Sequence, residues 1–141
     1  MSQPPFGDLT PEDVWAFLRT ASEDEIRAEV HRLGVPTVLA AVFEGMAGRF
    51  GADPGRRAGR LRFVLTDGSE SHEHALDLDA DGARVAVGSG RARATVTVDL
   101  VRFLRLGAGA ADAAAMLLTR RMKVSGDLLW TGRTMTGLRA P

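Results

Sequence analysis

The sequence predicts an α+β fold: a mainly antiparallel five-stranded mixed sheet with helices covering one face, preceded by a helical N-terminal extension. The prediction rests on changes of hydrophobic period. Apolar residues recur at helical spacing as far as Phe50, then alternate with polar ones from Leu61 to Val98. Helical spacing returns after Asp99 and is interrupted by one more strand-like run, Arg121 to Ser125. The 141 residues suit a single domain, 1–141, of a size that buries roughly two-thirds of its unfolded surface. Residues 10–51 form its helical part and 60–138 its core.

Thr10-Pro11-Glu12-Asp13 is a helix start: a hydroxyl cap, proline in the first turn, and acids facing the helix dipole. Ser22-Glu23-Asp24-Glu25 has capping-box spacing, Ile26, Val30 and Leu33 follow at helical intervals, and Gly34 is a stop. A third helix begins at Pro36 and carries the stripe Leu39, Val42, Phe43, Met46 and Phe50. After the breaker-rich stretch Gly51–Gly59, Leu61, Phe63 and Leu65 alternate with polar or smaller residues up to the Asp67-Gly68 turn. His72, His74, Leu76 and Leu78 share one face of the next strand, and Asp81-Gly82 turns the chain into a short strand, Arg84 to Val87. Ala92 to Val98 alternates again, so four consecutive strands read as an antiparallel meander with one wet face. Asp99 caps a helix, Ala110 to Arg120 reads as another, and Gly126-Asp127 opens the last one after the final strand.

Composition narrows the function. The 18 basic and 18 acidic residues cancel, so no net field draws the chain to nucleic acid or to an anionic membrane. Lys123 is the only lysine, and Ala and Gly abound, as expected of a GC-rich actinobacterial coding sequence. The absence of cysteine excludes disulfides and thiolate metal sites and fits a cytoplasmic protein. Met1–Asp8 lacks the order of a signal peptide. No apolar run approaches the roughly 20 residues of a membrane span, and the C-terminus carries no lipidation or peroxisomal signal.

Four segments bear a family likeness. They are Phe63-Val64-Leu65-Thr66-Asp67-Gly68, then His74-Ala75-Leu76-Asp77-Leu78-Asp79, then Ala94-Thr95-Val96-Thr97-Val98-Asp99 running into Leu100–Gly107, and Met122-Lys123-Val124-Ser125-Gly126-Asp127. By their order and spacing, the chain from about Leu61 to Leu138 resembles the sterol carrier protein type-2 family. The resemblance implies a mixed sheet with helices on one face and, between the layers, an apolar tunnel that accepts sterols, fatty acyl chains or related lipids without a cofactor. Two positions depart from the family pattern: Arg120 stands where a glycine usually precedes the Leu-Lys-Ile segment, and His74 where a large aromatic is common.

The residues expected to bind an apolar ligand are Phe43, Phe63, His74, Leu76, Phe103, Met116, Leu117, Met122, Trp130 and Met135, with Trp15, Phe17 and Phe50 also placed to reach a cavity. Many of them must fill solid core, since close packing leaves few voids. His72 and His74 point to the same side, the geometry of paired metal ligands or of a general base. A metal would need further ligands, His31 being the one other histidine. The expected reading is two partly buried, hydrogen-bonded strand residues, with no catalytic residue and no metal. His74 should look inward with Leu76 and Leu78, and a ligand hydroxyl or carboxylate fits its polar tip, which unpaired costs about 1–3 kcal/mol. Ser69 and Ser71 sit in no nucleophile elbow. Gly88-Ser89-Gly90 reads as a hairpin turn and Gly107-x-Gly109 as a helix stop.

The function expected is binding or carriage of an apolar small molecule by a monomer or homodimer. Two alternatives share the same fold: an enzyme of bacterial secondary metabolism using His72 or His74 in that cavity, and a dimerising interaction module without a tunnel.

Overall fold

A computed structural model describes residues 11–107 and 120–136, without the side chains of 11–15 and 136. Three helices open the chain: α1 (Pro11–Thr20), α2 (Glu23–Leu33) and α3 (Val35–Arg49). The capping box is closed, with Ser22 Oγ accepting the Glu25 N–H at 3.1 Å and Glu25 Oε1 accepting the Ser22 N–H at 3.0 Å. Gly34 has φ +96, ends α2 and lets α3 begin at once with Pro36 in its first turn. Along α3 the expected stripe turns inward: Leu39, Phe43, Met46 and Phe50 are buried, and Val42 packs at the margin. Thr10, the expected cap of α1, lies outside the described residues.

Five strands follow, β1 (Gly59–Asp67), β2 (Glu70–Asp79), β3 (Gly82–Val85), β4 (Ala94–Asp99) and β5 (Met122–Gly126). They form one sheet in the order β3-β2-β1-β4-β5. Helix α4 (Leu100–Gly107) follows β4, capped by Asp99 Oδ2 on the Val101 and Arg102 N–H groups, and α5 (Leu128–Thr136) follows β5. Neighbours are antiparallel except β1 and β4, which run parallel. The mixed, mainly antiparallel sheet is thus as expected, but the four-strand meander is not. After β3 the chain crosses over and sets β4 on the far side of β1. The register gives the reason: Leu61 faces Ala94, Phe63 faces Val96 and Leu65 faces Val98, so two fully alternating strands put their apolar sides under one cover. Gly88-Ser89-Gly90 is therefore part of the crossing loop rather than a hairpin turn. Its carbonyls accept from Arg60 (Gly88 O, 3.1 Å) and Arg62 (Gly90 O, 3.2 Å).

The helices lie on one face. α3 crosses β2 and β3, α4 lies on β1 and β4, and α2 packs against both helices. One cluster of buried side chains runs from Leu18 through α2, α3, the sheet and α4 to Trp130. The opposite sheet face is polar, with ion pairs Arg60–Asp77 at 2.8 Å and Arg62–Glu73 at 3.8 Å. Among the described residues no helix is long and apolar enough to cross a membrane. The helix expected over Ala110–Arg120 falls outside the described residues except for its last position.

That position explains one departure from the family pattern. Arg120 has φ +61, the left-handed region in which a glycine is unstrained. A second glycine is obligatory: Gly126 has φ +94, and a Cβ there would stand 2.5 Å from the Arg93 carbonyl oxygen. The close approach lets the Asp127 N–H donate to Arg93 O at 3.2 Å while Asp127 Oδ1 caps α5 through the Trp130 N–H at 2.9 Å. Two opposite outcomes are expected in chemical denaturation. Arg120→Gly raises stability by about 1 kcal/mol by relieving the strained backbone, and Gly126→Ala lowers it by about 3 kcal/mol through strain plus collision. A destabilised Arg120→Gly or a neutral Gly126→Ala contradicts this account of the β5 hinge.

Candidate functional site

Between sheet and helices lies an aromatic layer contributed by four elements. Phe43 of α3 stacks on His74 of β2 with ring centroids 4.8 Å apart and on Phe103 of α4 at 5.3 Å. It meets Phe63 of β1 edge-on at 5.3 Å, and Phe63 meets Phe103 at 5.4 Å. Offset and edge contacts of this kind contribute about 0.5–1.5 kcal/mol each beyond burial. The pairing register places Phe63 directly opposite His74 on one side and Val96 on the other, which centres the layer on β1. Leu76, two residues beyond His74 on the same face, is fully buried.

His74 is the polar member. Burial, and secondly the neighbouring His72, hold its pKa below the ordinary imidazole value, so it stands neutral against the Phe43 ring. A neutral imidazole carries one donor and one acceptor nitrogen and can serve either a hydroxyl or an acid group.

Of the other expected ligand residues, Met122 is buried on β5 and Met135 of α5 is half-buried against the core. Trp130 is buried at the opposite end of β1 from the Asp67 turn, under Gly59, with its indole N–H donating to Arg57 O at 2.8 Å. Met116 and Leu117 lie outside the described residues, as does the side chain of Trp15. The structure therefore brings Phe43, Phe63, His74 and Phe103 into one contact group, with Leu76 beside it, and sets Trp130 apart at the base.

Beside Trp130 is a cleft of about 390 Å³ whose walls carry Arg56, Arg57, Arg93 and Arg133. Arg93 lies over the Trp130 ring at 5.3 Å and pairs with Asp127 at 3.1 Å, while Arg56 is buried over Phe50 and donates to the Gly51 and Asp79 carbonyls. Leu129, 89% exposed, lines it, and the preceding Leu128 is 57% exposed.

At the other end of the covered face, sequence reasoning missed a polar group. Asp67 ends β1 and Glu70 begins β2 directly opposite it, with His72 two residues further on the same face. Asp67 is buried and is met from α2 by Arg27 (Nη1 to Oδ1, 2.6 Å) and His31 (Nε2 to Oδ2, 2.7 Å). His72 and His74, read together as a pair, thus have different surroundings: His72 faces this acidic group and His74 the aromatic layer. The signal in the sequence was the Asp67-x-x-Glu70-x-His72 spacing around a tight turn.

Comparison with known proteins adds to the geometry. No curated protein matches the sequence. Among solved structures, sterol carrier protein 2 like 2 from Aedes aegypti superposes with a TM-score of 0.56 at 19% identity, covering 71% of this chain and 95% of that one. Its palmitated form, solved in solution, gives 0.53 at 20% identity over 70% and 93%. The same fold recurs inside longer enzymes. The sec-alkylsulfatase Pisa1 from Pseudomonas sp. matches with a TM-score of 0.53 at 21% identity, over 70% of this chain and 16% of the enzyme. The methyltransferase MycE of mycinamycin biosynthesis matches with 0.55 at 17% identity, over 70% and 26%. These likenesses establish the fold. Residues 55–134 match the SCP-2 sterol transfer family over more than half of the chain, and the protein is a member of that family.

Proposed function

We propose that this protein binds and carries an apolar, lipid-like molecule (a sterol, a fatty acyl chain or a similar metabolite) in a tunnel between the sheet and its helical cover. The observation that carries the reading is the aromatic layer: Phe43, Phe63 and Phe103 converge on the sheet–helix boundary with one neutral polar group, His74, among them. Family membership supports it, and the Aedes protein of the same fold is palmitated in its solved form. The tunnel wall is assigned to Phe43, Phe63, His74, Leu76, Phe103, Met122, Trp130 and Met135. The domain acts as one unit in the cytoplasm, the helices of 10–51 closing over the 60–138 core.

Energetics favour such a ligand. Each buried methylene contributes about 0.8 kcal/mol, so about ten of them supply roughly 8 kcal/mol toward offsetting the cost of immobilising the ligand, and longer chains bind more tightly. His74 orients the ligand by receiving its hydroxyl or carboxyl head. Entry requires a helix to move, and α5 suits the role: it is short, and its first turn exposes Leu128 and Leu129 beside the basal cleft.

Fluorescence titration with a long-chain fatty acid and with a headless hydrocarbon of equal length tests both parts. The wild-type protein is expected to saturate with each, and His74→Phe to weaken the fatty acid about tenfold, the worth of one hydrogen bond of about 1.4 kcal/mol, while leaving the hydrocarbon unchanged. Equal fatty-acid affinity in the variant removes His74 from the site, and no saturable binding of any apolar ligand contradicts the carrier reading. The same variant reports on pH. Because folding lowers the His74 pKa below its unfolded value of 6.5, the unfolded chain binds the proton more readily. Stability from this group is complete above that pH and is lost as pH falls through the folded value. Urea denaturation from pH 7.5 down to 5 is expected to show a decline that His74→Phe flattens, and identical pH slopes contradict a part-buried imidazole held neutral by its surroundings.

A further inference from the structure

We propose that the β1–β2 turn holds a divalent transition cation of the zinc type, bound by Asp67, Glu70 and His72, with His31 as the positioning residue. The three donor groups lie within 4.8 Å of one another, although they come from the ends of two strands. Pairing makes them converge. Asp67 and Glu70 are opposite residues in the antiparallel ladder, and His72 follows Glu70 by the period that returns to the same face.

The observation that points to a ligand is the His72 Nε2 nitrogen. It is shielded from solvent and has no hydrogen-bond partner, and its nearest ion-pairing carboxylate, Glu70, is 4.0 Å away. A buried polar atom left so is costly, because it has given up water without replacement. A cation seated between His72, Glu70 and Asp67 would satisfy it. Ligand bonds of about 2.0–2.2 Å bring donor atoms to roughly 3–3.5 Å from one another. The group must therefore contract by about an ångström. Glu70 supplies that movement, since its side chain is 70% exposed at the first residue of β2.

Charge agrees. Asp67, Glu70 and Asp99 carry three negative charges, and Arg27, which reaches Asp67 at 2.6 Å and Asp99 at 3.4 Å, supplies one permanent positive charge among the described residues. A dication cancels the remaining two. Imidazole with carboxylates is a donor set suited to zinc and its neighbours rather than to calcium, which takes six or more oxygens. His31 contacts the second oxygen of Asp67 at 2.7 Å, which fixes the carboxylate plane as outer-shell partners of metal ligands do. The site ties the turn to α2, one same-face position along β2 from His74 and the aromatic layer.

Titration of zinc into the full-length, chelator-treated protein, read by competition with a chromophoric chelator and by the 15N shift of the histidine nitrogens, tests the assignment. One zinc per chain is expected, with the large shift at His72 Nε2 and a smaller one at the neighbouring His74. His72→Ala and Glu70→Gln should each weaken zinc at least tenfold without loss of the folded spectrum. His31→Ala should weaken it less, because His31 touches Asp67 and not the cation. Zinc should raise the unfolding midpoint of wild type but not of His72→Ala. Absence of stoichiometric binding, an unmoved His72 signal, or affinity unchanged in both His72→Ala and Glu70→Gln overturns the proposal.

Discussion

Everything in this fold follows from the pairing of β1 with β4. Both strands alternate fully, and the register sets Leu61, Phe63 and Leu65 beside Ala94, Val96 and Val98 on one face. That face is wholly apolar at the centre of the sheet and must be covered. Two parallel neighbours cannot be joined by a tight turn. The β2–β3 excursion therefore makes the crossing, and the helices close the layer above it. Burial of each large apolar side chain is worth about 1.5–3 kcal/mol, and it is this central strip that α3 and α4 supply with Phe43 and Phe103.

The covered face is graded along β1. Its middle is aromatic, with one imidazole whose charge burial suppresses. One end, at Gly59, meets Trp130 and a cleft rich in arginine. The other end, at Asp67, is acidic and is held to α2 by Arg27 and His31. The proposed ligand, an elongated apolar molecule with a single polar group, is assigned to the middle of this gradient, and the charged ends lie beyond it. The polar opposite face, held by Arg60–Asp77, offers no comparable environment.

Much of this was legible in the sequence because it is local. The Ser22–Glu25 box, the Gly34 stop, the α3 stripe and the Asp99 cap each depend on residues a few positions apart. The alternation of β1, β2 and β4 likewise named the buried face before any pairing was known. What was not legible is which strands are neighbours. Ala94, Val96 and Val98 alternate in the same way whether β4 lies beside β3 or beside β1, so alternation alone favours a meander with a turn at Gly88-Ser89-Gly90, whereas β4 lies beside β1. The same limit hid the group at the turn: Asp67 and His72 are five residues apart, and only the hairpin register sets them side by side. His72 and His74 were seen as a pair because they share a face, but two residues of strand separate an aromatic from an acidic environment. For Arg120, the likeness to a glycine position signalled the left-handed backbone that the structure contains.

The proposed carrier function requires an apolar ligand to enter the layer between sheet and helices. Intermolecular nuclear Overhauser effects between a 13C-labelled fatty acid and the protein's aromatic side chains measure this directly. Cross-peaks from acyl methylenes to Phe43, Phe63 and Phe103 are the expected result. Cross-peaks confined to surface residues such as Leu128 and Leu129, with the three buried rings silent at saturation, would contradict it.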